Sequence, residues 1–260
     1  MPPLPISYMV ESLRLKFREA TVWKYSIVAI SKIIEEASFR INQDGVRLRA
    51  MDPSGVALVD FYIPSTAFYE FDVPGEVTLG ANMDELSKVL RRARKGDELV
   101  LEFQQAGKLG VYLEGRGSRK FTLPSIELSY QEIPEISFEE AFKCKMLPKL
   151  FKDVVKELEA ISDAVELYAP ANSDMLYLRA ESEIAEAEVV LSGSSGALIE
   201  YTSSGEARSK YTIDYLIDIA TASQAAETME IAFGVETPLR LTYELPGGGM
   251  LQFYVAPRTD

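Results

Sequence analysis

The chain repeats itself at a fixed distance. Leu48-Arg49-Ala50 recurs as Leu178-Arg179-Ala180, 130 residues later, and Asp84 and Leu86 recur as Asp214 and Leu216 at the same offset. Phe103 and Phe233 are again 130 apart. Each identity alone is commonplace. A constant offset across three separated segments is the signature of a duplicated structural unit.

Hydrophobic periodicity extends the match. Met83–Ala93 places Leu86, Val89, Leu90 and Ala93 at i, i+3, i+4 and i+7, which predicts an amphipathic helix. Its counterpart Thr212–Ser223 has Leu216, Ile219 and Ala220 at helical spacing. Leu147–Ile161 carries Phe151, Val154, Val155 and Leu158 on one stripe, and the matching Thr21–Ala37 carries Ile27, Ile30 and Ile34. After each of these come the alternating runs Val46–Ala50 and Leu176–Ala180. Each half closes with two strand-like runs, Leu99–Phe103 with Gly110–Leu113, then Glu230–Phe233 with Leu239–Tyr243. Turn chemistry separates them at Gly107 and at Thr237-Pro238.

The expected fold class is therefore α+β, two similar modules each with two helices packed on antiparallel sheets. The modules are expected over 13–123 and 138–260, joined by an extended connector over 124–137, where Pro124 and Pro134 oppose regular pairing. Residues 1–12, with Pro2, Pro3 and Pro5, read as a loose leader, with Met9 available as an alternative start.

Composition narrows the chemistry. Histidine is absent and Cys144 is the single cysteine, which removes Ser-His-Asp and Cys-His nucleophile systems and the usual zinc cages. No internal disulfide can form, in keeping with a reducing cytoplasm. The longest clean aliphatic stretch, Ile27–Ile30, is far too short for a membrane-spanning helix. A carboxylate-only metal site survives this test: Asp52 or Asp60 with Asp84, or the run Glu181, Glu183, Glu186 and Glu188. Alternating glutamates on a strand are ordinarily a solvated acidic face.

Net charge is −13, from 40 acidic and 27 basic side chains, so nucleic-acid binding requires the bases to be segregated. They are. Lys88, Arg91, Arg92 and Lys95 share one face of the predicted second helix, with Arg94 beside them. Lys149, Lys152 and Lys156 share one face of the third, whereas the first has only Lys24 and Lys32. The fourth has no base and shows Asp214, Asp218 and Thr221. A solvated face is the ordinary meaning of any one such helix; eight bases on two helices of an acidic chain is not ordinary. Without interleaved aromatics or a recognition-helix pattern, these bases suit duplex phosphates and carry no sequence information.

Two segments carry a family resemblance. Arg49-Ala50-Met51-Asp52-Pro53-Ser54-Gly55-Val56, within Val46–Phe61, resembles the strand and loop after the first helix of the sliding clamps. Phe253-Tyr254-Val255-Ala256-Pro257-Arg258 is similar to the terminus of the proliferating cell nuclear antigen family, archaeal type. The resemblance implies a trimeric ring around duplex DNA that tethers DNA polymerase, flap nuclease, ligase and clamp loader through short peptides. It implies no catalysis, no cofactor, no metal and no membrane, and a cytoplasmic, nucleoid-associated place.

On that mapping the subunit contacts fall on Gly110–Gly117 of one chain, including Val111 and Leu113, and on Leu176–Glu183 of the next, including Tyr177 and Arg179. The wall that receives partner peptides maps to Met51, Leu58, Leu128, Ile133, Pro238, Tyr254, Ala256 and Pro257. Three departures stand out. Gln131 and Glu132 precede Ile133 where many relatives carry an apolar residue and glycine, Gly55 replaces a larger residue, and the fourth helix lacks bases. Such departures are tolerable in a ring built from three different subunits, or in a specialised, checkpoint-type clamp.

Overall fold

The computed structural model describes residues 13–104, 107–128 and 133–259. The leader expected over 1–12, and Gln131 and Glu132 of the connector, lie outside the described residues.

The first half runs β1 (Leu13–Phe17), α1 (Ala20–Ile33), β2 (Glu36–Asn42), β3 (Gly45–Met51), β4 (Ala57–Pro64) and β5 (Glu70–Asp72). It continues with β6 (Val77–Asn82), α2 (Met83–Leu90), β7 (Glu98–Gln104), β8 (Lys108–Glu114) and β9 (Ser118–Pro124). The second half repeats that order: β10 (Phe142–Met146), α3 (Pro148–Glu159), β11 (Ala164–Ala169), β12 (Met175–Glu181), β13 (Glu186–Ser192) and β14 (Glu200–Ser203). Then come β15 (Ala207–Thr212), α4 (Ile213–Ala220), β16 (Thr228–Phe233), β17 (Leu239–Leu245) and β18 (Gly249–Val255). The repeated segments of sequence fall on β3 and β12, α2 and α4, and β7 and β16.

The sheets follow the same duplication. The first half makes an antiparallel sheet ordered β5-β1-β7-β8-β9, and the second half makes one ordered β13-β12-β11-β15. The remaining nine described strands form a single sheet, β14-β10-β16-β17-β18-β4-β3-β2-β6. Its seam is the β18–β4 ladder, which pairs Gln252 with Asp60 and Phe253 with Val59. Five strands of the second half thus join four strands of the first.

Local chemistry explains the helices. α2 starts where the Asn82 side chain accepts the Glu85 N–H at 3.0 Å, with Asp84 and Glu85 in the first turn facing the positive end of the helix dipole. α3 starts on Pro148, whose missing N–H costs nothing at that position. Helix ends depart from the periodicity. α1 stops at Ile33 because Ile34 turns extended to enter β2, so the predicted stretch to Ala37 is cut short. α2 stops at Leu90, because the Asp97 carboxylate captures the Arg94 N–H at 2.7 Å and folds the chain into a turn. Arg91, Arg92 and Lys95 are therefore not on α2, as expected, but in the turn and loop after it.

Strand alternation sets the core. In β1, Leu13, Leu15 and Phe17 point inward, and in β10 Phe142, Cys144 and Met146 do the same. Trp23 of α1 is enclosed by Phe17, Phe39, Phe61 and Phe68. Truncating so large a buried ring leaves a cavity that costs about 3–5 kcal/mol. Pro124 belongs to β9 rather than to the connector, which is tolerable because β9 has a partner on one side only among the described strands.

Candidate functional site

The four helices form one continuous layer. α1 packs on α2, α3 on α4, and α1 meets α4 across the halves. At that crossing Lys32 pairs with Asp218 at 3.1 Å, so a base expected to face DNA is spent on an acid of the base-free helix. Lys24 donates to the Ala93 carbonyl at 3.0 Å. Lys88 is held by Asp84 and Glu85, 2.8 Å from each. Lys32 and Lys88 therefore contribute less free positive charge than their spacing suggested, whereas Lys24 keeps its charge but is tied to the backbone. By contrast Lys149 and Lys156 are exposed, Lys152 is half-buried, and no ion pair involves them among the described residues. Arg91, Arg92 and Lys95 are exposed just beyond α2.

A second arrangement is a row across four strands. Met51 pairs with Leu58, Leu58 with Tyr254, and Tyr254 with Arg240. Met51 is 47% exposed at one end of the row, whereas Leu58 is buried beneath it. Pro238 lies just before β17, and Ala256 continues β18 by donating its N–H to the Val56 carbonyl at 2.8 Å. Pro257 follows, half-buried. The connector is tied above this row: Arg49 donates to the Pro134 carbonyl at 2.6 Å, beside half-buried Ile133. Its other end is fixed by Ile126, whose N–H donates to the Gly80 carbonyl at 3.0 Å. A Cβ on Gly80 would lie 2.2 Å from the Ile126 oxygen, so only glycine lets the connector sit there. Leu128 is half-buried between these anchors. Most of the expected wall thus gathers around one end of the seam.

The expected subunit contacts require correction. Val111 and Leu113 lie on β8, buried, with β7 and β9 on either side, and Tyr177 and Arg179 lie on β12 between β11 and β13. Their ladders are already filled. The next strands out, β9 and β13, each have a partner on one side only among the described strands. Those two correspond, through the repeat, to β18 and β4, the strands that form the internal seam. Val111 pairs with Phe121 as Leu241 pairs with Phe253, so Phe121 is the counterpart of Phe253. Leu48 pairs with Phe61 as Leu178 pairs with Val189, so Glu188 is the counterpart of Asp60.

The carboxylates considered as metal ligands are dispersed: Glu181, Glu183 and Glu186 are exposed on and beside β12 and β13, and the others are engaged. Asp60 is clasped by Arg47 at 2.7 Å and Arg49 at 3.4 Å, Asp84 pairs with Lys88, and Glu188 pairs with Arg179 at 2.6 Å. Asp52 accepts the Ala57 N–H at 2.6 Å, the Ser54 hydroxyl and, at 3.0 Å, the Tyr215 hydroxyl. Burial would raise the Asp52 pKa; these hydrogen bonds outweigh it and hold the carboxyl below its ordinary range. No group of three or more metal-ligating side chains converges among the described residues.

Two family models account for nearly the whole chain: the proliferating cell nuclear antigen N-terminal domain over residues 11–132, and the C-terminal domain of the same family over 132–258. The chain belongs to the proliferating cell nuclear antigen family. Among its relatives, DNA polymerase sliding clamp 3 of Aeropyrum pernix is 42% identical over 248 residues, covering 95% of this chain and 98% of that protein. The DNA polymerase sliding clamp of Thermofilum pendens is 34% identical over 95% of this chain and all of that one. Of solved structures, the PCNA2–PCNA3 complex from Sulfolobus tokodaii aligns with a TM-score of 0.88 at 34% identity, over 95% of this chain and 100% of that chain. PCNA from Thermococcus kodakaraensis aligns at 0.89 and 31% identity with the same coverage.

Sequence reasoning missed the residue of this family member that links its two halves at the β3–β4 loop. Tyr215 was not singled out, because no short-range pattern reports a partner in the other half. It also missed the matching ion pairs Arg49–Asp60 and Arg179–Glu188, although the repeated Arg was the signal.

Proposed function

We propose that this chain is a subunit of a sliding clamp, a ring of three such subunits that encircles duplex DNA and tethers DNA polymerase, flap nuclease, ligase and clamp loader. It acts by topology and docking, without catalysis. The observation that carries the proposal is the unfinished seam. The chain joins its halves through β18 and β4, and the counterparts of those strands, β9 and β13, stand open at its two ends. Repeating the seam between chains hides both open edges, which would otherwise invite aggregation.

Seam register transfers to the new junction. Lys120 then faces Glu188, and Phe121 faces Ala187, as Gln252 faces Asp60 and Phe253 faces Val59 within the chain. β9 supplies Arg119 and Lys120, and β13 supplies Glu186 and Glu188, so the edges are complementary in charge. The helical layer, on this reading, faces DNA with Lys149, Lys152, Lys156, Arg91 and Arg92. The row from Met51 to Tyr254, with Leu128, Ile133, Pro238, Ala256 and Pro257, receives apolar side chains of partner peptides. A peptide extending from Ala256 adds to the sheet as a strand. Native mass tests the assembly: the chain, alone or mixed with paralogues from its genome, should give a complex of three subunits of about 28.9 kDa each. A chain that stays monomeric in every mixture contradicts the proposal.

A further inference from the structure

Beyond the helical layer, the end of α2 and the β8–β9 hairpin enclose an open cavity of about 1110 Å³. Its lining includes Arg94, Lys95, Arg116 and Arg119 together with Asp97, Glu98 and Glu114. The acids are occupied. Asp97, buried, holds Arg119 and the Arg94 N–H. Glu98 accepts the Tyr69 hydroxyl at 2.7 Å and pairs with Lys16 at 3.3 Å, and Glu114 pairs with Lys16 at 2.9 Å. Arg94, Lys95 and Arg116 are exposed, and none of them is in an ion pair among the described residues. The cavity therefore presents three cations outside any ion pair among the described residues, Arg94, Lys95 and Arg116, over three acids that share Arg119 and Lys16, so the balance of charge is positive.

The two loops are built to stay together. Arg119 also donates to the Arg92 carbonyl at 2.8 Å, which fixes the hairpin to the turn after α2. A Cβ on Gly115 would lie 2.2 Å from Asp97 Oδ1, so the hairpin approaches the carboxylate only because glycine stands there. Gly96 holds φ at +82°, a left-handed conformation that glycine adopts freely. The second half lacks these cations: the 130-residue offset places Gln224, Ala225 and Pro246 at the positions of Arg94, Lys95 and Arg116.

We infer that this cavity is a second phosphate-binding site, which takes the backbone of duplex DNA at the rim of the ring, once per subunit. The inference rests on the clamp reading given above. Guanidinium groups fork onto phosphate oxygens, and the lining offers no aromatic ring on which a base could stack. Continuity selects DNA over an acidic protein segment: Arg91 and Arg92, at the end of α2, lead directly into the cavity. In a ring with the seam register, the neighbouring segment 193–198 approaches the hairpin; its own residues are uncharged, and the Asp174 carboxylate beside it is held by the Ser194 N–H at 2.9 Å.

The test compares two variants of the assembled ring on linear duplex DNA, Arg94→Ala/Lys95→Ala/Arg116→Ala and Lys149→Ala/Lys152→Ala/Lys156→Ala. All six side chains are polar and outside the core, and native mass verifies that each ring assembles. The slope of log affinity against log salt should flatten by about 0.9 per lost contact, so by about 2.7 when three are lost. Flattening in both variants supports the rim site. Flattening in the lysine variant alone overturns it and leaves the clamp reading standing. Binding of inorganic phosphate or of a polyglutamate peptide at the rim, with the DNA slope unchanged, overturns it equally. Absence of any DNA binding by the wild-type ring overturns both.

Discussion

The Tyr215 hydroxyl of α4 donates to the Asp52 carboxylate of the β3–β4 loop at 3.0 Å, joining two halves of the molecule through residues 163 apart. The same hydroxyl lies 3.0 Å from the Ser54 Oγ. A helix of the layer proposed to face DNA is thereby fastened to the loop that follows Met51, where the row proposed to receive partner peptides begins.

Removing that hydroxyl has a defined pH signature. Asp52 is held below its ordinary pKa, so its hydrogen bonds contribute stability above the unfolded carboxylate pKa near 4, and that contribution disappears as pH falls through the folded value. Tyr215→Phe should therefore lower stability at pH 7 by about 1–2 kcal/mol, the cost of a half-buried hydrogen bond to a charged group. The deficit should begin to shrink as pH falls below about 4 and should vanish only once pH has passed the lowered folded value of Asp52. Urea unfolding at pH 7 and pH 3 checks this; an equal deficit at both contradicts a charge-assisted bond.

The proposed junction makes a reciprocal prediction. Lys120→Glu and Glu188→Lys should each weaken assembly by bringing like charges opposite one another, and the double variant should restore it. In a ring that includes other subunits, each single change should weaken only one of the two junctions. In a ring of identical subunits, sedimentation of the four proteins decides, and weakening without rescue rejects the register.

Gly80 is required by contact rather than by conformation. Gly80→Ala should push Ile126 off β6 and loosen the connector. Affinity for an apolar partner peptide should fall several-fold while native mass is unchanged. Unaltered peptide affinity, measured by calorimetry, removes the connector from the docking wall.

Cys144 sits inside β10, and burial, with a smaller effect from Glu230, pushes its thiol up to about 12. Alkylation at pH 8 should proceed only as fast as the strand opens, and should become rapid in denaturant. Fast labelling of the native protein would place the thiol at the surface.

Much of this arrangement was legible before any coordinates. A constant offset located β3 and β12, α2 and α4, and β7 and β16, because duplicated modules keep their spacing wherever insertions fall elsewhere. Helix ends were not legible: the basic pattern from Lys88 to Lys95 continues as if helical, and only the distant Asp97 carboxylate reveals that α2 has already ended. Strand order was hidden too. Val111 and Leu113 alternate as any half-buried strand does, and alternation cannot report whether a strand is interior or at an edge. Ion pairing was equally opaque, since Lys32 and Asp218 meet only when the helices of both halves pack.

Retention on DNA is the most direct test of encirclement. Rings loaded on a nicked circular duplex should resist release in high salt and slide off once the circle is cut. Release at the same rate from the circular and the linear form would contradict a ring that holds DNA by topology.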